Sequence, residues 1–290
     1  MTHSFQALGT TWWIEVFDET ENKTLTVAFA DCERFVSDFK NTYSRFKTDS
    51  LISQLNTNRE IIEPSKELQT LLSYGKNLYV QTNTHFNILT GHILETRGYD
   101  ADYSFRANDE SHFIVGNPIS DLHISHERIA LLQCNVDIGG FGKGYLIDKL
   151  VTLLREKYSV QFLLINAGGD MFATSNHGQA IEIYLEHPAL EKVTIGKTSL
   201  LQQGFAASSP YKRRWKSGEK VHTHLIGETL THHCSFVKHT TAAGADAFAT
   251  VALLASDLEM ERMSQSEHIG LAFLTPLQTH LRVTSSLQST

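Results

Sequence analysis

Asn135-Val136-Asp137-Ile138-Gly139-Gly140-Phe141-Gly142-Lys143-Gly144-Tyr145-Leu146-Ile147-Asp148 decides how the rest of the chain is read. Asn135 to Ile138 close a short apolar run, four glycines crowd into six positions, and from Tyr145 the apolar residues recur at helical spacing. The pattern predicts a strand, a glycine turn and a helix. Such a turn brings backbone close to a ligand, and the helix behind it offers unpaired N–H groups and a positive dipole end to an anion, most naturally a phosphate. The same glycines also serve close packing of strand and helix. Gly144 stands where a Walker A loop requires Ser or Thr, so that motif is excluded, and the spacing does not fit the dinucleotide fingerprint.

Around this stretch lies an ordinary globular composition: 290 residues, 41% hydrophobic and 20% charged, with a net charge of -7 that argues against a general nucleic-acid surface. The dense basic patch, Lys212-Arg213-Arg214 with Lys216, sits beside Tyr211 and Trp215. No apolar run approaches the roughly 18 residues of a membrane-spanning helix, so no membrane span is expected. Cys32, Cys134 and Cys234 are scattered and odd in number, which implies neither a disulfide framework nor a zinc site.

In chain order, Phe5 to Phe17 predicts a hairpin turning at Gly9-Thr10, and Leu25, Phe29, Cys32, Phe39 and Tyr43 predict a long amphipathic helix from Asn22. Asp49 or Ser50 caps a short helix from Leu51, and Pro64 opens a second helix to about Gln81. Another short helix is expected over Phe86 to Leu94, then strands within Leu122 to Asp137. Val160 to Asn166 reads as a buried strand that delivers a second glycine turn, Asn166-Ala167-Gly168-Gly169-Asp170. Further strands are expected at 180–186, 193–199, 204–209, 222–226, 235–239, 270–275 and 280–284, with a helix from about Ala243 carrying Asp246 and Thr250 one turn apart. Mixed elements without βαβ alternation give an α+β class. No repeat or linker marks a boundary, so one domain over residues 1–290 is expected.

Asp246 and Thr250 together offer a carboxylate and a hydroxyl, hard oxygen ligands suited to Mg²⁺, although a surface aspartate and a back-bonding threonine give the same spacing. Five blocks then fall in a familiar order: Leu8-Gly9-Thr10; Tyr43-Ser44-Arg45-Phe46-Lys47-Thr48-Asp49-Ser50 with Leu55-Asn56; Val136 to Tyr145 with Asp148; Asn166 to Asp170; and Ala245 to Thr250. In this the chain, from about residue 5 to about residue 285, resembles the ApbE family, the FAD:protein FMN transferases or flavin transferases. The resemblance implies a Mg²⁺-dependent enzyme that splits the pyrophosphate of FAD, attaches FMN through a phosphoester to a Thr or Ser of an acceptor protein, and releases AMP. It implies Mg²⁺ ligands at Asp246, Thr250 and the Gly140 carbonyl. Contacts to FAD are implied at Leu8, Phe46, His85, Phe86, Asn87, Asp137, Lys143 and Leu225. His224 matches a family histidine and is the candidate general base, or else only lines the pocket. Acceptors of the family carry a threonine motif ending in Gly-Ala-Thr or similar, which this chain lacks.

The chain departs from the family pattern at Asn87, where Asp is usual, at Ser208-Ser209-Pro210 in place of Thr-Ser-Gly, and at Leu225-Ile226-Gly227-Glu228, which lacks Asp-Pro. These leave a FAD pyrophosphatase, or a FAD-binding protein without turnover, as alternatives. With no signal peptide or lipoprotein cysteine in view, a cytoplasmic location is expected, or a periplasmic one with the leader removed.

Overall fold

The computed structural model describes residues 1–101, 104–107, 113–190, 192–211, 214–217, 220–223, 225–227, 230–267, 269–274 and 281–283. The order begins β1 (Thr2–Ala7), β2 (Thr10–Val16), α1 (Asn22–Tyr43), α2 (Leu51–Asn58), β3 (Glu60–Ile62), α3 (Lys66–Gln81), α4 (Gly91–Thr96), α5 (Pro118–Asp121), β4 (Leu122–Ile124) and β5 (Arg128–Leu131). It continues α6 (Gly142–Tyr158), β6 (Leu163–Ala167), β7 (Asp170–Thr174), β8 (Ile181–Glu186), β9 (Thr194–Leu200), β10 (Gln203–Ser208), β11 (Arg214–Ser217) and β12 (Lys220–Thr223). It ends β13 (Cys234–His239), α7 (Ala242–Val251), α8 (Asp257–Ser266), β14 (Gly270–Leu274) and β15 (Arg282–Val283). Helices and antiparallel sheets are mixed, which is the expected α+β class.

The chain divides into two compact units, one of Met1–Asp38, Phe141–Tyr211 and Thr229–Thr290, the other of Phe39–Gly140 and Lys212–Glu228. The first is built on an eight-stranded sheet in the order β1-β2-β6-β7-β10-β13-β14-β15, each neighbouring pair antiparallel. Leu8 and Gly9, at φ of 51° and 74°, make the two-residue turn of the first hairpin, the sign of φ that matches the twist of the flanking strands. Alternation along the strands separates two faces. Ala173, Phe205, Cys234, Phe236, Ala272 and Leu274 pack with Ile183, Leu185 and Leu200 of the β8–β9 hairpin. On β13 the intervening Ser235 donates its hydroxyl to the Ala249 carbonyl of α7, 2.6 Å away. Asp31 of α1 takes hydrogen bonds from Lys157 and Tyr158 at the end of α6, and the Lys157 ammonium and Tyr158 hydroxyl hold its carboxyl well below the usual range.

One interaction fixes α6 against α7. Asp148 of α6 accepts the N–H groups of Ala242 and Ala243, at 2.8 and 3.0 Å, and Thr241 accepts that of Gly244 at 3.1 Å, so three of the unpaired donors at the start of α7 are satisfied. Burial pushes the Asp148 carboxyl up from 3.8 to about 6, against the pull of those two N–H groups. A carboxyl raised in the folded state contributes stability that is complete below its ordinary value and lost as pH rises through about 6. Between pH 4 and pH 7 the loss is about 2 kcal/mol. Asp148→Asn cannot ionise, so its melting temperature, compared with the parent at both pH values, is expected to gain on the parent as pH rises. A difference that stays constant with pH would refute the assignment.

The second unit holds the three-stranded sheet β3-β5-β4, the hairpin β11–β12, and the buried leucines 55, 68, 71, 72 and 78 of α2 and α3. Ser50 and Ser65 cap those two helices, each accepting an N–H three residues on. Three expectations are corrected. Asn135 to Ile138 joins no ladder: the Asn56 side chain bonds both the N–H and the carbonyl of Val136, at 2.7 and 3.0 Å, and Asp137 N–H bonds the Ile88 carbonyl. The helix expected from Phe86 starts only at Gly91, because the Thr82 hydroxyl takes the Phe86 N–H and the Asn87 side chain takes that of Leu89. The helix after the glycine turn starts at Gly142 rather than Tyr145. Cys32 and Cys234 are buried and burial pushes both thiols up to about 12, leaving them chemically quiet.

Candidate functional site

Lys143, Asp170 and Asp246 come together in the first unit. Lys143 lies in the first turn of α6, Asp170 at the start of β7 after the Gly168-Gly169 turn, and Asp246 in α7. The Lys143 ammonium contacts the Asp170 carboxylate and lies 3.5 Å from Asp246 Oδ2. Gly144 N–H donates to the same Asp246 oxygen at 3.2 Å. The β6–β7 hairpin aims Asp170 inward: Ala167 pairs with Asp170 across a turn in which Asn166 Oδ1 accepts Gly169 N–H at 3.0 Å. Asp170 and Asp246 are only 4% and 7% exposed. Two buried carboxylates share the Lys143 ammonium, in a region where a charge is stable only when it is paired.

That donor set fits a divalent cation. The Asp246 carboxylate and the Thr250 hydroxyl, one turn apart on α7, are hard oxygen ligands of the kind a divalent cation takes. Phe141, the N-cap of α6, makes no side-chain cap of its own, and the first turn of this 17-residue helix instead takes an acceptor from α7, the Asp246 carboxylate on Gly144 N–H.

A second cluster forms in the other unit around Arg45, whose side chain is 4% exposed. Its guanidinium bonds Asp137 through Nε, reaches Glu95 Oε1 at 3.4 Å, and donates to the Tyr99 carbonyl at 2.7 Å. It lies 4.1 Å over the Phe46 ring and 5.5 Å from the Tyr99 ring centre. The other Asp137 oxygen accepts Gly139 N–H, so this carboxylate both anchors the arginine and shapes the glycine turn. Gly140 lies against Phe86, where a Cβ would fall 2.9 Å from the ring, which brings two of the expected contacts side by side. Tyr99 stacks on Trp215 at 5.8 Å, Trp215 stacks in turn on His222 at 6.1 Å, and the Trp215 indole donates to the Arg97 carbonyl at 2.8 Å. Arg97 also holds the carbonyl of buried Leu225 at 3.1 Å.

Asn87 is committed to backbone: it accepts Leu89 N–H and donates its amide to the Gly116 carbonyl, both at 2.8 Å. An aspartate could not make the second bond, which accounts for the departure locally. Leu8 sits in the β1–β2 turn, and His85 is half-buried in the loop after α3. His224, the expected base, lies outside the described residues, as do Lys212 and Arg213 of the basic patch. Asp170, Arg45, Tyr99 and Trp215 were given no role from sequence. Asp170 closes a glycine turn and Arg45 stands beside Phe46 in the Tyr43-to-Ser50 block, which were the available signals.

The antiparallel α+β scaffold, with a lysine and two buried carboxylates at the start of α6, can be compared with known proteins. The model of the ApbE family matches residues 8–274, and the chain belongs to that family. Among solved structures the fold is similar to the ApbE protein from Thermotoga maritima MSB8, with TM-score 0.84 and 16% identity over 99% of this chain and 98% of that one. It is also similar to the flavinyl transferase ApbE of Pseudomonas stutzeri in its apo form, with TM-score 0.82 and 15% identity over 99% and 95%. The flavin transferase ApbE of Vibrio cholerae gives TM-score 0.77 and 15% identity over 99% and 98%. No curated protein sequence matches the chain.

Proposed function

We propose that this chain is a Mg²⁺-dependent FAD:protein FMN transferase. The observation that carries the reading is the sharing of Lys143 between buried Asp170 and Asp246, one turn from Thr250. Membership of the ApbE family and the likeness to flavin transferases support it.

In this reading Asp246 and Thr250, with the Gly140 carbonyl, hold Mg²⁺, which when bound withdraws charge from the pyrophosphate oxygens. Lys143 and the positive dipole end of α6 supply fixed positive charge to the same phosphates. Asp170 keeps the Lys143 ammonium in place. Phe46, Phe86, Leu8 and Leu225 offer apolar surface to the flat ring systems of FAD, with Asp137, His85 and Asn87 as polar contacts. The acceptor hydroxyl attacks the phosphorus of the FMN half, a P–O bond to threonine forms, the bond to AMP breaks, and the hydroxyl proton passes to a base, for which His224 is the candidate.

The test is incubation with FAD and Mg²⁺, with and without a protein bearing a Gly-Ala-Thr motif, following AMP release and flavin fluorescence on a denaturing gel. Transfer gives a fluorescent acceptor band. AMP without acceptor would make the chain a pyrophosphatase, and neither product would leave a flavin-binding protein.

A further inference from the structure

Five of the chain's 25 lysines and arginines fall between positions 212 and 220, Lys212, Arg213, Arg214, Lys216 and Lys220, against one acid, Glu219, in a protein of net charge -7. The pyrophosphate does not need them, since Lys143 and α6 meet its charge in the reading above. Arg214 and Lys216 lie on β11 and Lys220 opens β12, two strands that pair only with each other among the described residues. The register sets Trp215 opposite His222 and Lys216 opposite Val221.

Alternation sorts this hairpin into two unlike faces. Trp215 and His222 are buried, 8% and 6% exposed, and the indole is tied down by the Tyr99 stack and the Arg97 carbonyl. Arg214, Lys216 and Val221 are exposed, Val221 at 57%. The anchored side fixes the hairpin within its unit, so the outer side is a firm, cationic, partly apolar platform. Thr223, opposite Arg214, is followed directly by His224 and Leu225.

We propose that the outer face of β11–β12 is the docking surface for the acceptor protein, and that it takes an extended acidic segment flanking the modified threonine. This rests on the transferase reading. Charge complementarity selects the partner: carboxylates laid along β11 meet Arg214 and Lys216, and Val221 of β12, opposite Lys216, takes an apolar side chain beside them. A nucleic acid fits less well, because the cationic face is one short hairpin on a chain whose overall charge repels phosphate backbones.

The probes are two twelve-residue peptides with a central Gly-Ala-Thr, one flanked by aspartates and the other by asparagines. Each is dye-labelled for binding by anisotropy and assayed for FMN transfer by mass. The acidic peptide is expected to bind and react about tenfold better at 50 mM salt, with the advantage shrinking by 300 mM. R214E/K216E should remove the preference, with the melting temperature and the KM for FAD unchanged. Equal binding of both peptides, or a preference that survives R214E/K216E, overturns the proposal. Tighter binding of a single-stranded 20-mer DNA or of phosphatidylserine vesicles than of the acidic peptide overturns it in favour of those partners. Binding preference without any transfer or AMP release would instead sink the transferase reading and leave the docking surface standing.

Discussion

Asp246→Ala is expected to reduce FAD turnover to below about 1% of the parent, because it removes the one charged ligand from the proposed Mg²⁺ set. The same change strips Gly144 N–H of its acceptor and frees Lys143 to pair with Asp170 alone, so alanine mixes catalysis with local structure. Asp246→Asn separates them. It keeps an oxygen for Gly144 N–H and loses the charge, so the fold should hold while turnover falls about as far. The check is AMP release across a Mg²⁺ titration, with thermal melting alongside. If Asp246→Asn turns over normally at the parent's Mg²⁺ concentration, the metal assignment is lost. Mg²⁺ should also raise the melting temperature of the parent and leave that of Asp246→Asn unmoved, a readout independent of turnover.

Elements whose signals are local were legible in the sequence. The first hairpin, the long helix from Asn22, the Ser50 cap, the strand into Asn166 and the helix carrying Asp246 each follow from period, cap or turn chemistry within a few residues. What escaped depends on distant partners. Asn135 to Ile138 has a strand's composition, but its backbone is satisfied by the Asn56 side chain and the Ile88 carbonyl, which no local pattern reveals. β11 was hidden because its alternation emerges only when Trp215 is paired with His222. α8 carries a full capping box, Ser256 with Glu259, yet its apolar residues are too sparse to set a helical period. In the candidate site, the i, i+4 spacing of Asp246 and Thr250 is a local signal, whereas Lys143 enters through the family resemblance. That Asp170 turns back onto Lys143 required the β6–β7 hairpin to be seen closed.

Gly144→Val tests why the glycine run is where it is, and the expected result is a loss of about 3 kcal/mol or more in denaturant unfolding. A Cβ at Gly144 would overlap the Ala242 carbonyl and lie 2.7 Å from Ala243 Cα, which are backbone atoms of α7 that cannot rotate away. The two helices would have to separate, and with them the Asp148 bonds to Ala242 and Ala243 and the Gly144 bond to Asp246. Gly139→Ala is the contrast within the same run. A Cβ there meets only the Asp137 carboxylate, the end of a side chain, so its cost should stay within about 1 kcal/mol. Equal destabilisation by the two would show that the run serves a flexible turn. A large loss at Gly144 alone shows that close approach of α6 to α7 is what this glycine provides, and that the positions of Lys143 and Asp246 depend on it.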